Sequence, residues 1–213
     1  MPGGLGGRVK NSLHLTKESK MSTPGEFLTS DADICLGDLI VLRNGSKSAA
    51  LTCGGQPLRL KLGCAESPLY APFGFSSFDG QTHDRESLDV QSQNEECISA
   101  IECLDAIVLK KLKANLSNYT NATKAQVDDW WRPTVKHSEK YPPIIRTKCT
   151  KSKVRVWGPD KALLSVDDVH PRSEMAVVVT ARNVYFQSKG MGVCLEVSDI
   201  LLLSGDSQNC PWE

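Results

Sequence analysis

The stretch that decides the fold runs from Tyr141 to Leu203 and reads YPPIIRTKCTKSKVRVWGPDKALLSVDDVHPRSEMAVVVTARNVYFQSKGMGVCLEVSDILLL. It contains three runs rich in Val, Ile and aromatic residues: an interrupted run from Ile144 to Trp157, then Met175 to Phe186, then Val193 to Leu203. Clusters of Gly, Pro and Asp separate these runs, which is typical of antiparallel strands. The sequence therefore predicts a β-rich body, with the nearly uniformly apolar run from Met175 to Ala181 at the centre of its sheet.

A second group of strands is predicted nearer the N-terminus. Leu39 to Arg43 and Ser48 to Cys53 flank Asn44-Gly45, a strong short signal for a hairpin. A third strand, Pro57 to Leu62, alternates leucines with Arg59 and Lys61, which places both cations on one face of a half-buried sheet. Ordinary solvated charges and a binding role are both open for this cationic pair.

Helical patterns lie between the two strand groups. Apolar residues recur at three- and four-residue steps from Ser92 to Leu116, where Ser92 and Glu95 fit a capping box. A shorter helix is predicted from Thr123 to Trp131, because Thr123 and Gln126 form another capping box and a proline follows Trp131. We expect Trp130 and Trp131 to lie on different sides, one in the core and one at a surface.

Length and composition set the domain organisation. The chain has 213 residues, 40% of them hydrophobic, which suits one domain with a sizeable core. We predict a flexible arm over residues 1–30, one domain over 31–204 with a helical insertion at about 92–132, and a tail over 205–213. No signal peptide is recognisable, and no apolar window is long enough for a transmembrane helix.

Eight cysteines are scattered singly along the chain, and none forms a Cys-x-x-Cys pair. The four histidines never fall at metal-ligand spacing from one another. We interpret the cysteines as reduced thiols in an intracellular compartment, and expect no metal and no cofactor.

The formal net charge is +0, yet charge is unevenly distributed. Residues 132–155 carry eight cations against one acid, whereas residues 84–105 carry seven acids against one cation. Within the basic segment, Lys153, Arg155 and Trp157 share one strand face, a combination suited to stacking a base between phosphate contacts. A structural role for Trp157, with the cations extending past it, is the alternative.

Several motifs resemble one family. Ala71-Pro-Phe-Gly-Phe75, Lys140-Tyr-Pro-Pro143, Val156-Trp-Gly-Pro-Asp-Lys161 and the closing segment Ala181 to Asp199 are similar to the single-stranded-DNA-binding proteins of nucleocytoplasmic large DNA viruses, of the African swine fever virus kind, and their algal-virus relatives. The resemblance covers Ala71 to Leu203. It implies a mainly β (α+β) fold, an OB-like antiparallel β-barrel with inserted helices, and sequence-tolerant binding of single-stranded DNA. It also implies a nucleus, a viral replication site or a virion as the location.

The leading hypothesis is therefore a non-catalytic protein that coats or protects single-stranded DNA during replication, recombination or repair. RNA is an alternative ligand, and a homo-oligomer and replication or repair proteins are candidate partners; no membrane partner is expected. Strand alternation predicts that Tyr185 faces outward and Phe186 inward. The candidate binding residues are Arg59, Lys61, Tyr141, Lys148, Lys151, Lys153, Arg155, Trp157, Arg182, Tyr185 and Lys189.

Two other classes of function are less favoured. A protein-interaction or virion-structural module could use the same barrel, and the acidic helix and zero net charge support it. An enzyme is disfavoured, because the sequence has no phosphate-binding Gly-rich loop, no Gly-x-Ser-x-Gly and no metal-ligand cluster.

Overall fold

The computed structural model describes residues 33–43, 45–77 and 80–203. The predicted arm, the predicted tail and Asn44 of the hairpin turn lie outside the described residues. In the described part of the chain no helix is long and apolar enough to cross a membrane.

Thirteen strands and two α-helices make up the described part of the fold. The strands are β1 (Ile34–Val41), β2 (Lys47–Cys53), β3 (Gln56–Leu62), β4 (Leu69–Tyr70), β5 (Arg85–Ser87), β6 (Val90–Gln91), β7 (Val135–Lys136), β8 (Ile144–Ile145), β9 (Lys148–Thr150), β10 (Arg155–Trp157), β11 (Leu163–Leu164), β12 (Glu174–Gln187) and β13 (Gly190–Leu202). The helices are α1 (Glu95–Ala114) and α2 (Lys124–Trp130), and both lie between β6 and β7. Two short 3-10 helices occupy Leu116–Asn118 and Val166–Asp168.

The long hairpin of β12 and β13 organises the sheet. Its register runs from Met175 opposite Leu202 to Gln187 opposite Gly190. On its other side β12 pairs with β2, β3 and β4, so it lies at the centre of one continuous sheet. This confirms the central position predicted for the apolar run in β12 and the fold class, a mainly antiparallel, curled, OB-like sheet with inserted helices.

Alternation of side chains explains which face of the sheet is buried. In β3, Leu58, Leu60 and Leu62 are buried, whereas Arg59 is half-buried and Lys61 exposed on the opposite face. The core continues from this face into α1, whose Ile101, Leu104 and Val108 are buried as their three- and four-residue spacing predicts.

Two local predictions are wrong. The sequence of the first run predicts a hairpin-like break at Thr150 to Ser152, but β9 and β10, on either side of this break, lie one after the other along β13 and both run parallel to it. The first helix is capped by Asn94, whose side chain accepts hydrogen bonds from the N–H groups of Glu96 and Cys97; Ser92 instead accepts one from the Asn94 N–H.

Other local predictions are confirmed. Thr123 and Gln126 form the predicted reciprocal capping box of α2. Trp131 is 8% exposed and belongs to the core, whereas its neighbour Trp130 is half-buried.

Candidate nucleic-acid interface

A groove of about 690 Å³ runs beside the turn end of the β12–β13 hairpin. We call it the basic groove, because five cationic side chains line it: Lys47, Arg85, Arg132, Arg146 and Lys148. Among its described lining residues, Asp89 is the only carboxylate. The groove therefore carries a local positive charge in a chain whose net charge is zero.

Strand pairing brings these residues together from distant parts of the sequence. Tyr185 of β12 pairs with Ser48 of β2 on one side and with Gly192 of β13 on the other. Lys148 of β9 pairs with Ser87 of β5, so Arg85 of the same strand reaches the groove. The sheet thus places an aromatic ring among cations from four separate segments.

The groove cations are exposed and are not neutralised by carboxylates. Within the described residues, none of the five forms an ion pair. Lys148 donates to the Ser87 hydroxyl at 2.7 Å, and Arg85 donates to Sγ of Cys194 at 3.4 Å. Such weakly engaged cations are available to the phosphates of a ligand.

The single carboxylate of the groove is already engaged. Asp89 accepts a hydrogen bond from the Thr147 N–H at 3.2 Å. Burial raises the pKa of Asp89 above its ordinary value, and the nearby charges of Lys148 and Arg146 oppose the rise. As one carboxylate against five cations, Asp89 offsets only part of the groove's positive charge.

Tyr185 and Phe186 take the two orientations that strand alternation predicts. Tyr185 is half-buried and lines the groove, whereas Phe186 is 7% exposed and stacks on Tyr119 with ring centroids 6.0 Å apart. Burial raises the pKa of Tyr185, and the guanidinium groups of Arg146 and Arg132 oppose this shift. The Tyr185 ring thus lines the groove near the charges of two arginines.

Arg132 is positioned by the backbone around it. Its guanidinium donates to the carbonyl oxygens of Asp129 and Lys189, both at 3.2 Å, and its N–H donates to the Met191 carbonyl at 2.8 Å. The close approach depends on Gly192, where an added Cβ would lie 2.6 Å from the Arg132 carbonyl oxygen. This contact fixes the segment after α2 against the hairpin.

Four predicted site residues lie together on a second surface. Arg59, Lys61, Arg155 and Trp157 line a cavity of about 830 Å³, which we call the Trp157 surface. Here Asp199 pairs with Arg155 at 2.6 Å and with Arg59 at 3.5 Å, and it accepts a hydrogen bond from Nε1 of Trp157 at 3.4 Å. The Arg155 guanidinium also lies over the indole, 5.7 Å from its centroid. The cations and the ring of the Trp157 surface are therefore partly satisfied by one another and by Asp199. Lys153, predicted on the same strand face as Arg155 and Trp157, instead lies in the turn before β10 and does not line this surface.

The other predicted site residues are more dispersed. Lys151 pairs with Glu86 at 2.8 Å and lies over the Phe75 ring, and Arg182 pairs with Glu196 at 3.1 Å. Lys153 and Lys189 are exposed in turns, and Tyr141 is 66% exposed. None of these five lines the basic groove or the Trp157 surface.

Sequence reasoning missed four of the five groove cations. Arg132 and Arg146 lie in the basic segment and could have been found from its charge. Lys47 follows the predicted hairpin turn, where nothing marks it out. Arg85 lies in the acidic segment and reaches the groove only through the pairing of β5 with β9. In the described part of the chain, no cluster of metal-ligating residues accompanies these surfaces.

Comparison with known proteins gave matches to solved structures alone. No protein-family model and no curated protein matches the chain. The chain is similar to a structure of the single-stranded DNA-binding protein from bacteriophage Enc34, at 9% identity and a TM-score of 0.42, over 81% of this chain and 91% of that one. A structure of that phage protein in complex with single-stranded DNA is 8% identical, with a TM-score of 0.42 over 81% and 93% of the two chains. The chain is also similar to gp2.5, a single-stranded DNA-binding protein encoded by bacteriophage T7, at 12% identity and a TM-score of 0.40, over 68% of this chain and 86% of that one. The resemblance to the large-DNA-virus family stays a prediction.

Proposed function

We propose that this chain is a non-catalytic protein that binds single-stranded DNA along the basic groove. One observation carries the proposal: five exposed cations that form no ion pair with any described residue surround a half-buried tyrosine in a single groove. A charged groove that follows the backbone, with an aromatic ring for the bases, is the usual way to bind single strands.

The position of Tyr185 favours a single strand over a duplex. Its ring lies on the sheet between β2 and β13 and is half-buried, so a base must leave its own stack to contact it. Bases of a duplex are stacked and paired, and extracting one costs free energy. Because phosphates and ring faces are common to all nucleotides, binding is expected to be largely independent of sequence.

The Trp157 surface is proposed as a second and weaker contact. Arg59 and Arg155 share the carboxylate of Asp199, so a phosphate must compete with an existing ion pair there. The basic groove presents no such competition from its described residues. We therefore expect the groove to dominate affinity, in a protein that protects single-stranded DNA during replication, recombination or repair.

The test is fluorescence anisotropy of a labelled single-stranded oligonucleotide at low and moderate salt, with duplex competitor. The key variant is Arg146→Ala/Lys148→Ala, and Lys124→Ala/Lys140→Ala is the control, since it removes two exposed lysines that do not line the groove. We expect the groove variant to bind at least about tenfold more weakly, and its salt slope to fall by about 0.7 for each phosphate that the variant no longer neutralises.

An equal loss of affinity in the two double variants would show that only net charge matters, and it would overturn the basic groove as the binding site. Absence of binding by the unmodified chain, even at low salt, would overturn the function itself and favour a protein-interaction module.

A further inference from the structure

A second cleft, of about 880 Å³, adjoins the basic groove. We infer that it contacts the bases of the same DNA strand after the strand leaves the groove. We call it the amide cleft, after the side-chain amides of Asn118, Asn121, Gln126 and Gln187 that line it together with Trp130. The inference rests on the proposed function and adds a base-contacting site to it.

Continuity with the groove is the first observation. Four residues line both sites: Ser46, Lys47, Phe186 and Gln187. Phe186 and Lys47 are register partners across β12 and β2, so the end of β12 forms a common wall. A DNA strand that leaves the basic groove beside Lys47 therefore enters the amide cleft without crossing another helix or β-strand.

The chemistry of the cleft differs from that of the groove. Among its described lining residues, Lys47 is the only charged side chain, and amides and hydroxyls supply most of the remaining polar groups. Amide groups both donate and accept hydrogen bonds, as the edges of bases do, whereas phosphates mainly require cations. The residues that line the amide cleft are therefore better suited to contact the bases of DNA than its phosphates.

Trp130 supplies an aromatic wall to this cleft. Its neighbour Trp131 takes the core position, and the capping box at Thr123 fixes the start of the short helix that carries Trp130. Beside it, the stacked rings of Tyr119 and Phe186 form a rigid support, and the Tyr119 hydroxyl donates to the Leu36 carbonyl at 3.3 Å. The half-buried indole of Trp130, beside this pair of rings, is suited to stacking on a nucleobase.

The Gln126 amide is positioned for donation. Its Oε1 accepts from the Thr123 N–H at 2.8 Å, which orients the side chain, and its NH₂ group has no partner among the described residues. That donor can meet a base acceptor in the cleft.

The experiment compares oligonucleotides that differ in length and in bases. A short strand of about 4 nucleotides and a long one of about 16 nucleotides span the range that single barrels of this kind bind. Two further long strands carry abasic residues in the 5′ half or the 3′ half, which removes bases but keeps phosphates. Affinities are measured by anisotropy for the unmodified chain, Trp130→Ala, Trp130→Phe and Asn118→Ala/Asn121→Ala.

We expect Trp130→Ala to weaken binding of the long strand about tenfold, to leave the short strand unchanged, and to be rescued by Trp130→Phe. Both half-abasic strands should bind the unmodified chain more weakly than the intact strand, because one lacks the bases for Tyr185 and the other lacks the bases for the amide cleft. Only the strand that lacks the bases for the amide cleft should be insensitive to Trp130→Ala. The exposed asparagine pair provides a variant that does not disturb the core, and it should reduce affinity for the long strand alone.

Failure of this inference is distinct from failure of the proposed function. If neither Trp130→Ala nor the asparagine variant changes long-strand affinity, while Arg146→Ala/Lys148→Ala does, the amide cleft is overturned and the groove stands. If the unmodified chain binds no oligonucleotide, both the proposed function and the amide cleft are overturned.

Discussion

Asp199 is the residue that decides how strongly the Trp157 surface can attract DNA. Its carboxylate is largely buried and engages Arg59, Arg155 and Trp157 at once. Asp199 lies beside Arg155 because β10 and β13 pair in parallel, and the local sequence does not reveal this pairing. A stacking platform predicted from the alternation of Lys153, Arg155 and Trp157 thus contains a counter-ion from a strand more than forty residues away.

Replacing Asp199 by Asn should strengthen binding of single-stranded DNA several-fold at low salt, because two arginines lose their counter-ion. Anisotropy titration measures the effect, and the gain should shrink as salt rises. Asp128→Asn is the matched control, since Asp128 pairs with Lys113 away from both surfaces. An equal gain in the two variants would assign the effect to net charge, and no gain at Asp199 would remove the Trp157 surface from the interface.

Asp105 is a buried carboxylate whose protonation is linked to stability. It accepts hydrogen bonds from the N–H of Thr134 at 2.6 Å and from its hydroxyl at 2.8 Å. Burial raises its pKa from 3.8 to about 6, although the Thr134 hydrogen bonds oppose the rise. The folded state therefore binds the proton more tightly than the unfolded chain does, and Asp105 lowers stability progressively as pH rises from about 4 to about 6.

Asp105→Asn should raise the free energy of unfolding at neutral pH, by up to about 3 kcal/mol, and change it little near pH 4. The amide keeps an acceptor for the Thr134 N–H and offers a donor to its hydroxyl. Urea denaturation across this pH range gives the measurement, with the exposed Asp128→Asn as a control that should show no such pH dependence. A variant as unstable as the parent at neutral pH would show that the buried charge costs nothing.

At the level of elements, the sequence predicts what is encoded locally. Turn chemistry and alternation located β1 to β3 and the β12–β13 hairpin, and Thr123 and Gln126 located the start of α2. Parallel pairing of β9 and β10 with β13 was missed, because both partners of such a pair lie far apart in sequence. The basic groove depends on the pairing of β9 with β5 and β13, so its full set of residues could not be predicted either.

The hairpin also fixes one groove residue through backbone contact. Gly192→Ala would bring a Cβ within 2.6 Å of the Arg132 carbonyl, so the hairpin and the segment after α2 must separate. We expect a loss of about 1 to 3 kcal/mol in stability, together with weaker DNA binding as Arg132 moves. Gly190→Ala is the control in the same hairpin, since its nearest neighbour would lie 3.8 Å away. Thermal unfolding and anisotropy that fail to separate the two variants would contradict this role of Gly192.

The zero net charge of the whole molecule conceals an uneven distribution of acidic and basic residues. Acidic residues mark the start of α1, whereas the groove on the β12–β13 hairpin gathers five cations. Such a division attracts a polyanion to one face and disfavours it elsewhere, and it makes binding sensitive to salt without a basic net charge. Overall composition therefore understated an electrostatic feature that only the folded chain assembles.

The scattered cysteines offer a way to test which face of the protein the proposed DNA strand covers. Cys194 lines the basic groove, and Cys103, which is half-buried like Cys194, lies on α1 outside both proposed DNA sites. We expect saturating single-stranded DNA to slow alkylation of Cys194 markedly and to leave Cys103 and the exposed Cys35 unchanged, as read by mass spectrometry of the digested protein. Burial raises the pKa of the Cys194 thiol, so its basal reaction is slow and each rate must be compared with and without DNA at one pH. Uniform slowing at all three sites would indicate a general change in the protein, and protection of Cys103 alone would place the DNA on α1 and outside the basic groove.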